Sequence, residues 1–191
     1  MDIQYRVYPS LLNLYARYEA GLVEEPFLLD RLNRVPISQT AAQKRGVSFE
    51  EAVIKGTQAE QFDPSILQKV RRMLPRPLVA TQQYCQYRWE NVLIYGYVDA
   101  LGVGLAVDLK TTTRYQPGRH QHDHQHFYLR ALRPRGIRRL RYVITDFEEV
   151  YQEEYDQRTD LSLQEAQLRR FCDFLEAHRD AITDKRLFGK E

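Results

Sequence analysis

The chain has only two cysteines, Cys85 and Cys172, far apart and each set in an apolar pattern. A secreted domain held together by disulfides would carry several pairs, so these residues read as buried free thiols in a reducing compartment. No hydrophobic run approaches the length needed to span a bilayer, and the opening MDIQYRVYPS has no apolar signal core. A cytoplasmic protein with no membrane contact is therefore expected. There is no Gly-rich phosphate loop of the Walker type, so any ATP-driven activity would have to come from another chain. Excess charge is missing too: 28 Lys+Arg against 26 Asp+Glu leave a formal net charge of +2, and bulk electrostatics selects no partner. Repeats, low-complexity tracts and linkers are also lacking, and 191 residues suit one domain over 1–191 with a full core.

Charge distribution says more than its sum. Eight arginines fall between Arg114 and Arg141, where Asp123 is the one acid. A local field of that sign suits a polyanion such as nucleic acid, and the plain alternative is a solvated Arg-rich helix face and strand edge.

Apolar periodicity predicts helices first. Leu11, Leu14, Tyr15 and Tyr18 follow Ser10, placed to cap a helix ending near Gly21, and a second helix runs from Ser38 to Gly56 with Glu50 and Glu51 inside it. A short helix over 66–73 follows Pro64 and Ser65, while 23–36 resists assignment. Strands follow at 79–90, 92–100 and 105–111, with Asn91 turning between the first two. A helix over 120–132, strands at 140–145 and 150–155, and a helix over 161–182 with a Ser162/Glu165 capping box complete the series. The expected fold class is α/β: a central mixed sheet of four to five strands flanked by helices.

Within that frame, the stretch GYVDALGVGLAVDLKTTT (Gly96 to Thr113) concentrates chemistry. Alternation puts Asp108 and Lys110 on one side of their strand with Leu109 turned away, and a hairpin brings Asp99 near them. Two carboxylates and an ammonium crowded together are costly unless a cation or polar ligand joins them. Oxygen donors at neighbouring strand ends suit Mg²⁺ or Mn²⁺, with room left for water and phosphate. The plain alternatives are a turn residue at Asp99 and an exposed ion pair at Asp108 and Lys110.

The ordered series GYVD (Gly96 to Asp99), VDLKT (Val107 to Thr111) and QHFYLRAL (Gln125 to Leu132) resembles the PD-(D/E)XK nuclease superfamily, and within it the RecB-like exonuclease branch. RGVSFEEAV, with Gly46 four residues before Glu50, and YPSLLNLYARYE extend the resemblance over about residues 8 to 145. It implies a restriction-endonuclease-like core and a metal-dependent DNA nuclease, an exonuclease or a recombination or repair nuclease, with a phage origin left open. Asp99, Asp108, the Leu109 carbonyl and Glu50 would be metal ligands. Lys110 would orient or deprotonate the attacking water or neutralise the phosphate, and Gln125 would hold the site together from the following helix. Glu51 competes with Glu50, and Gln121 with Gln125. DNA is the implied partner, contacted by Arg114, Arg119 and His124; a further copy of the chain or a recombination or replication protein is open as another. The iron–sulfur form of the branch needs four cysteines, so no cluster is expected.

Four histidines, His120, His122, His124 and His126, fall within seven residues. HQHDH is one residue short of the zinc motif of the metallo-β-lactamase fold, a deletion that rotates the later ligands away. Contact of some of them with solvent or DNA phosphate is the better expectation. The alternative for the whole chain is a module that keeps the nuclease fold and binds nucleic acid without catalysis.

Overall fold

The computed structural model describes residues 2–189. Its centre is a mixed sheet built from β1 (Tyr5–Val7), β2 (Leu78–Trp89), β3 (Val92–Gly102), β4 (Leu105–Thr111), β5 (Arg139–Thr145) and β6 (Val150–Asp156). β2 lies antiparallel along nearly the whole of β3, β4 pairs parallel with β5, and β6 closes antiparallel on β5. The α/β class and the flanking helices are as expected; β1 makes the sheet one strand larger.

Among the described residues six α-helices surround the sheet: α1 (Pro9–Glu19), α2 (Glu25–Leu32), α3 (Ala41–Ile54), α4 (Pro64–Met73), α5 (Phe127–Leu132) and α6 (Ser162–Ala177). Proline sits in the first turn of α1, α2 and α4, where no backbone donor is needed. Thr40 and Gln43 form a reciprocal capping box on α3, and Asp63 caps α4 by accepting from Ser65 N at 2.7 Å. Two expected caps are corrected. Ser10 and Ser162 lie inside their helices, behind Tyr8 and Leu161, which make no side-chain cap. The helix expected over 120–132 begins only at Phe127, after a 3-10 turn at His124–His126, and the last helix stops at Ala177.

The faces are covered unequally. Phe49 and Ala52 of α3, with Ile66, Leu67 and Val70 of α4, bury Ala100, Leu105, Val107 and Val143. Tyr128, Leu129 and Leu132 of α5 bury Val98, Leu101, Ala106, Leu140 and Ile144 on the other side. α1, α2 and α6 enclose Val92 and Ile94 with Leu12, Leu28, Leu168 and Phe171, each such side chain contributing roughly 1.5–3 kcal/mol by leaving water. No helix among the described residues is long and apolar enough to cross a membrane.

One edge of β3 is shared. β1 takes Val92–Ile94 in parallel, and β4 takes Ala100 and Leu101 antiparallel. Residues 95–99 between them face no strand on that edge.

Candidate active site

Residues two apart in a regular strand share a face. Val98 packs on the α5 side and Ala100 on the α3 side, so the strand rotates at Asp99. Across the ladder Gln82 has φ +46, a left-handed conformation uncommon outside glycine. The β3–β4 pairing also stops here, at Ala100↔Val107. The Asp99 carboxylate is thereby turned toward β4, and its Oδ2 accepts the Leu109 backbone N–H at 2.6 Å.

On β4, Lys110 Nζ stands 2.6 Å from Asp108 Oδ2. Leu109 points the other way and packs against the α3 side. Glu50 arrives from α3. Gln82 Nε2 donates to Glu50 Oε1 at 2.5 Å and to Asp99 Oδ1 at 3.0 Å, tying two elements together through one amide. Glu51 turns away to Lys55 and Gln58. Gly46 explains how α3 comes so close: one turn before Glu50 on the same helix face, a Cβ there would lie 2.9 Å from Thr111 Oγ1.

Burial, then the Asp108 and Glu50 charges, push the Asp99 carboxyl well above the usual carboxylate range. Burial and Asp108 raise Glu50 in the same sense, with Lys110 opposing. For Lys110, burial would depress the pKa, but the Asp108 carboxylate outweighs it and the ammonium is held charged, with Asp123 adding to the field. Glu50, Asp99 and Asp108 lie in one another's field beside Lys110, but no three His, Cys, Asp or Glu side chains among the described residues are arranged to hold a metal ion. Two or three carboxylates and a backbone carbonyl remain a fitting donor set for a hard cation that keeps most of its water.

Gln125 is buried at the neighbouring cleft, its Oε1 accepting from Asn13 Nδ2 of α1 at 2.8 Å. Asn13 Oδ1 also accepts the backbone N–H of His124 at 2.9 Å and its ring Nδ1–H at 2.8 Å. Gln121 is exposed instead.

The expectation that His124 meets DNA phosphate is corrected: His124 is wholly buried, as is His126, and only His122 of the four histidines is exposed. Burial lowers the pKa of both His124 and His126 to about 4. His120 stacks on Tyr142 and bonds Asp123 through Nδ1 at 2.9 Å.

Arg114 and Arg119 are exposed on the loop after β4, where Arg119 donates to the Arg114 carbonyl at 3.2 Å. The Arg114–Arg141 run is not one free patch, however. Arg139 and Arg141 pair with Glu154, and Arg130 donates to the Gln157 carbonyl. Gln82 and Asn13 escaped the sequence reading; each is a lone amide whose partners lie on distant elements, so no local pattern marks it.

A groove of about 930 Å³ runs between α1, α2, α3 and the end of β4, lined by Arg17, Arg31, Gly46, Glu50, Leu109, Lys110 and Thr111 among others. It adjoins a cleft of about 680 Å³ at the open edge of β3, where Tyr95, Gly96, Tyr97, Gln125 and Tyr128 meet Arg31 and Arg34. Gly96 is required there, because a Cβ would collide with the Tyr128 hydroxyl.

The sequence matches no protein-family model and no curated protein. Its fold is similar to solved structures. A Eubacterium rectale protein described as a candidate exonuclease superposes with a TM-score of 0.56 at 14% identity, over 91% of this chain and 80% of that one. LHK-Exo, solved in complex with dAMP, superposes with a TM-score of 0.52 at 15% identity, over 94% of this chain and 91% of that one. At such identities the likeness concerns the fold alone.

Proposed function

We propose that the chain is a metal-dependent DNA nuclease of the RecB-like PD-(D/E)XK kind, an exonuclease or a recombination or repair nuclease. The observation carrying this reading is the grouping of Asp99, Asp108 and Glu50 with Lys110 where β3 and β4 part, Glu50 and Lys110 lining an open groove. The similarity in fold to exonuclease structures supports it.

Asp99, Asp108, the Leu109 carbonyl and Glu50 would hold Mg²⁺ or Mn²⁺. The bound ion supplies charge neutralisation at the scissile phosphate and a more acidic water. Lys110, paired with Asp108, would orient the attacking water or the phosphate by hydrogen bonding, or help deprotonate that water. Gln82 fixes the spacing of Glu50 and Asp99 through its two N–H groups. Arg17, which lines the groove, and Arg114 and Arg119, exposed on the loop after β4, would meet flanking phosphates.

A second reading, a nucleic-acid-binding module without catalysis, is favoured by one feature: Lys110 is engaged with Asp108 at 2.6 Å instead of being free. Purified protein with Mn²⁺ or Mg²⁺ should degrade linear DNA and stop in chelator, and Lys110→Ala should lower the rate at least about 100-fold with the fold intact. Equal cleavage by that variant would remove Lys110 from the mechanism. DNA binding without cleavage, and no Mn²⁺ uptake dependent on Asp99 and Asp108, would select the second reading.

A further inference from the structure

Tyr95 and Tyr97 alternate along β3 with the buried Ile94, Gly96 and Val98, so both project from the opposite face, Tyr97 exposed and Tyr95 half-buried. Tyr84 of β2 sits directly across from Tyr97, the two rings meeting edge to face at 5.4 Å, and both are open to solvent, at 41% and 54% exposure. Two large exposed aromatics side by side on a sheet do nothing for the core. Tyr8 extends the row, its ring 5.9 Å from that of Tyr95.

The charge around these rings has one sign. A shallow cleft of about 510 Å³ is lined by Tyr84, Tyr95 and Tyr97 with Arg6, Arg34 and Arg186. The cleft at the β3 edge shares Tyr95, Tyr97 and Arg34 and adds Arg31. No acid lines either among the described residues. Asp184 lies beneath, its side chain 7% exposed, and receives Arg34 at 2.5 Å and Arg186 at 2.7 Å. It therefore fixes the two guanidinium groups, while the Arg34 and Arg186 side chains as wholes stay 45% and 61% exposed. At the rise of an antiparallel strand, Tyr97 is about 7 Å and Tyr95 about 14 Å along the chain from Asp99.

We propose that this tyrosine–arginine face is a track for a single-stranded segment of DNA leading to Asp99. The assignment rests on the nuclease reading of the Asp99 site. Unpaired bases present π-faces that stack on tyrosine without regard to sequence, and the arginines meet the phosphates between them. Bases within a duplex are already stacked on one another and have no use for such a row.

Binding tests the track without any cleavage. In chelator, the anisotropy of a labelled oligo(dT) titrated with the full chain should report an affinity that falls at least about tenfold on combined Tyr84→Ala and Tyr97→Ala substitution. Phenylalanine at both positions should restore it, since stacking needs the ring and not the hydroxyl. Arg34→Gln should weaken binding and lower the slope of log affinity against log salt by about one. Because the two tyrosines are exposed, unchanged thermal unfolding should accompany the loss. Undiminished oligo(dT) binding by the Ala variant, an equal loss for a blunt duplex, or equal competition by poly-glutamate would overturn the proposal. If DNA is never cut while the tyrosine effect holds, the track survives and the nuclease reading falls; if DNA is cut and the tyrosines are silent, the reverse.

Discussion

The backbone N–H of Leu109 is donated to Asp99 Oδ2 at 2.6 Å, so a β3 side chain completes a ladder that the two strands leave open. The same carboxylate accepts from Gln82 and lies in the field of Asp108 and Glu50. It is well hydrogen-bonded and yet electrostatically unfavourable, a combination expected where function and stability conflict.

Asp99→Asn separates these effects. The amide oxygen can still accept from Leu109, at the cost of the Gln82 contact, and the ionisable group is gone. In chelator the variant should be more stable than the parent by at least about 1 kcal/mol, given about 1.4 kcal/mol per pKa unit, while losing Mn²⁺ uptake and cleavage. Denaturant unfolding and calorimetry read the two together; an unchanged or lower stability would mean that Asp108 and Glu50 impose no strain on this carboxylate.

Gly46 offers a second separation. In the middle of α3, Gly46→Ala gains up to about 1 kcal/mol of helix propensity. The new Cβ would meet Thr111 Oγ1 at 2.9 Å, however, an overpacking worth about 1–3 kcal/mol unless α3 moves off β4. The single variant should lose stability or activity because Glu50 is carried away, and adding Thr111→Ala should restore both. Additive effects in this double-mutant cycle would refute the contact.

The pH dependence of folding should report His124 and His126. Their pKa in the folded chain is about 4, against 6.5 for the free side chain. Between those values the unfolded chain binds more protons, so stability rises with pH across the window. It is fully present above about pH 6.5 and declines toward pH 4, by up to roughly 3 kcal/mol for each residue. Urea midpoints at pH 7 and pH 5 should differ accordingly, and His126→Phe should flatten part of the difference, since neither ring nitrogen of His126 has a partner.

The strands and helices that carry the charged cluster could be read because each is announced locally: alternation in 105–111, helical spacing around Glu50, a turn at Asn91. Three kinds of information were out of reach. β1 is three residues long and is a strand only because Val92–Ile94 lies beside it. The histidines look reactive in sequence, yet tertiary burial makes two of them neutral packing groups on Phe127, Tyr142 and Tyr155. Gln82 needed the local twist of β2 against Asp99, a backbone conformation that nothing in TQQYCQYRW announces. Acids, with few residue types able to replace them, are legible; amides that bridge distant elements are not.

The shared edge of β3 also orders events in time. β2, β3 and β4 follow one another through tight turns, so their contacts close short loops and can form early. β1 reaches the same edge only by closing the long loop from Tyr5 to Val92, which contains α1 to α4. The floor of the cleft is thus expected to be laid down before its wall, and the arginine that β1 brings, Arg6, to arrive last. A nascent chain would then hold the acidic cluster in place before the arginine-lined cleft beside it is complete.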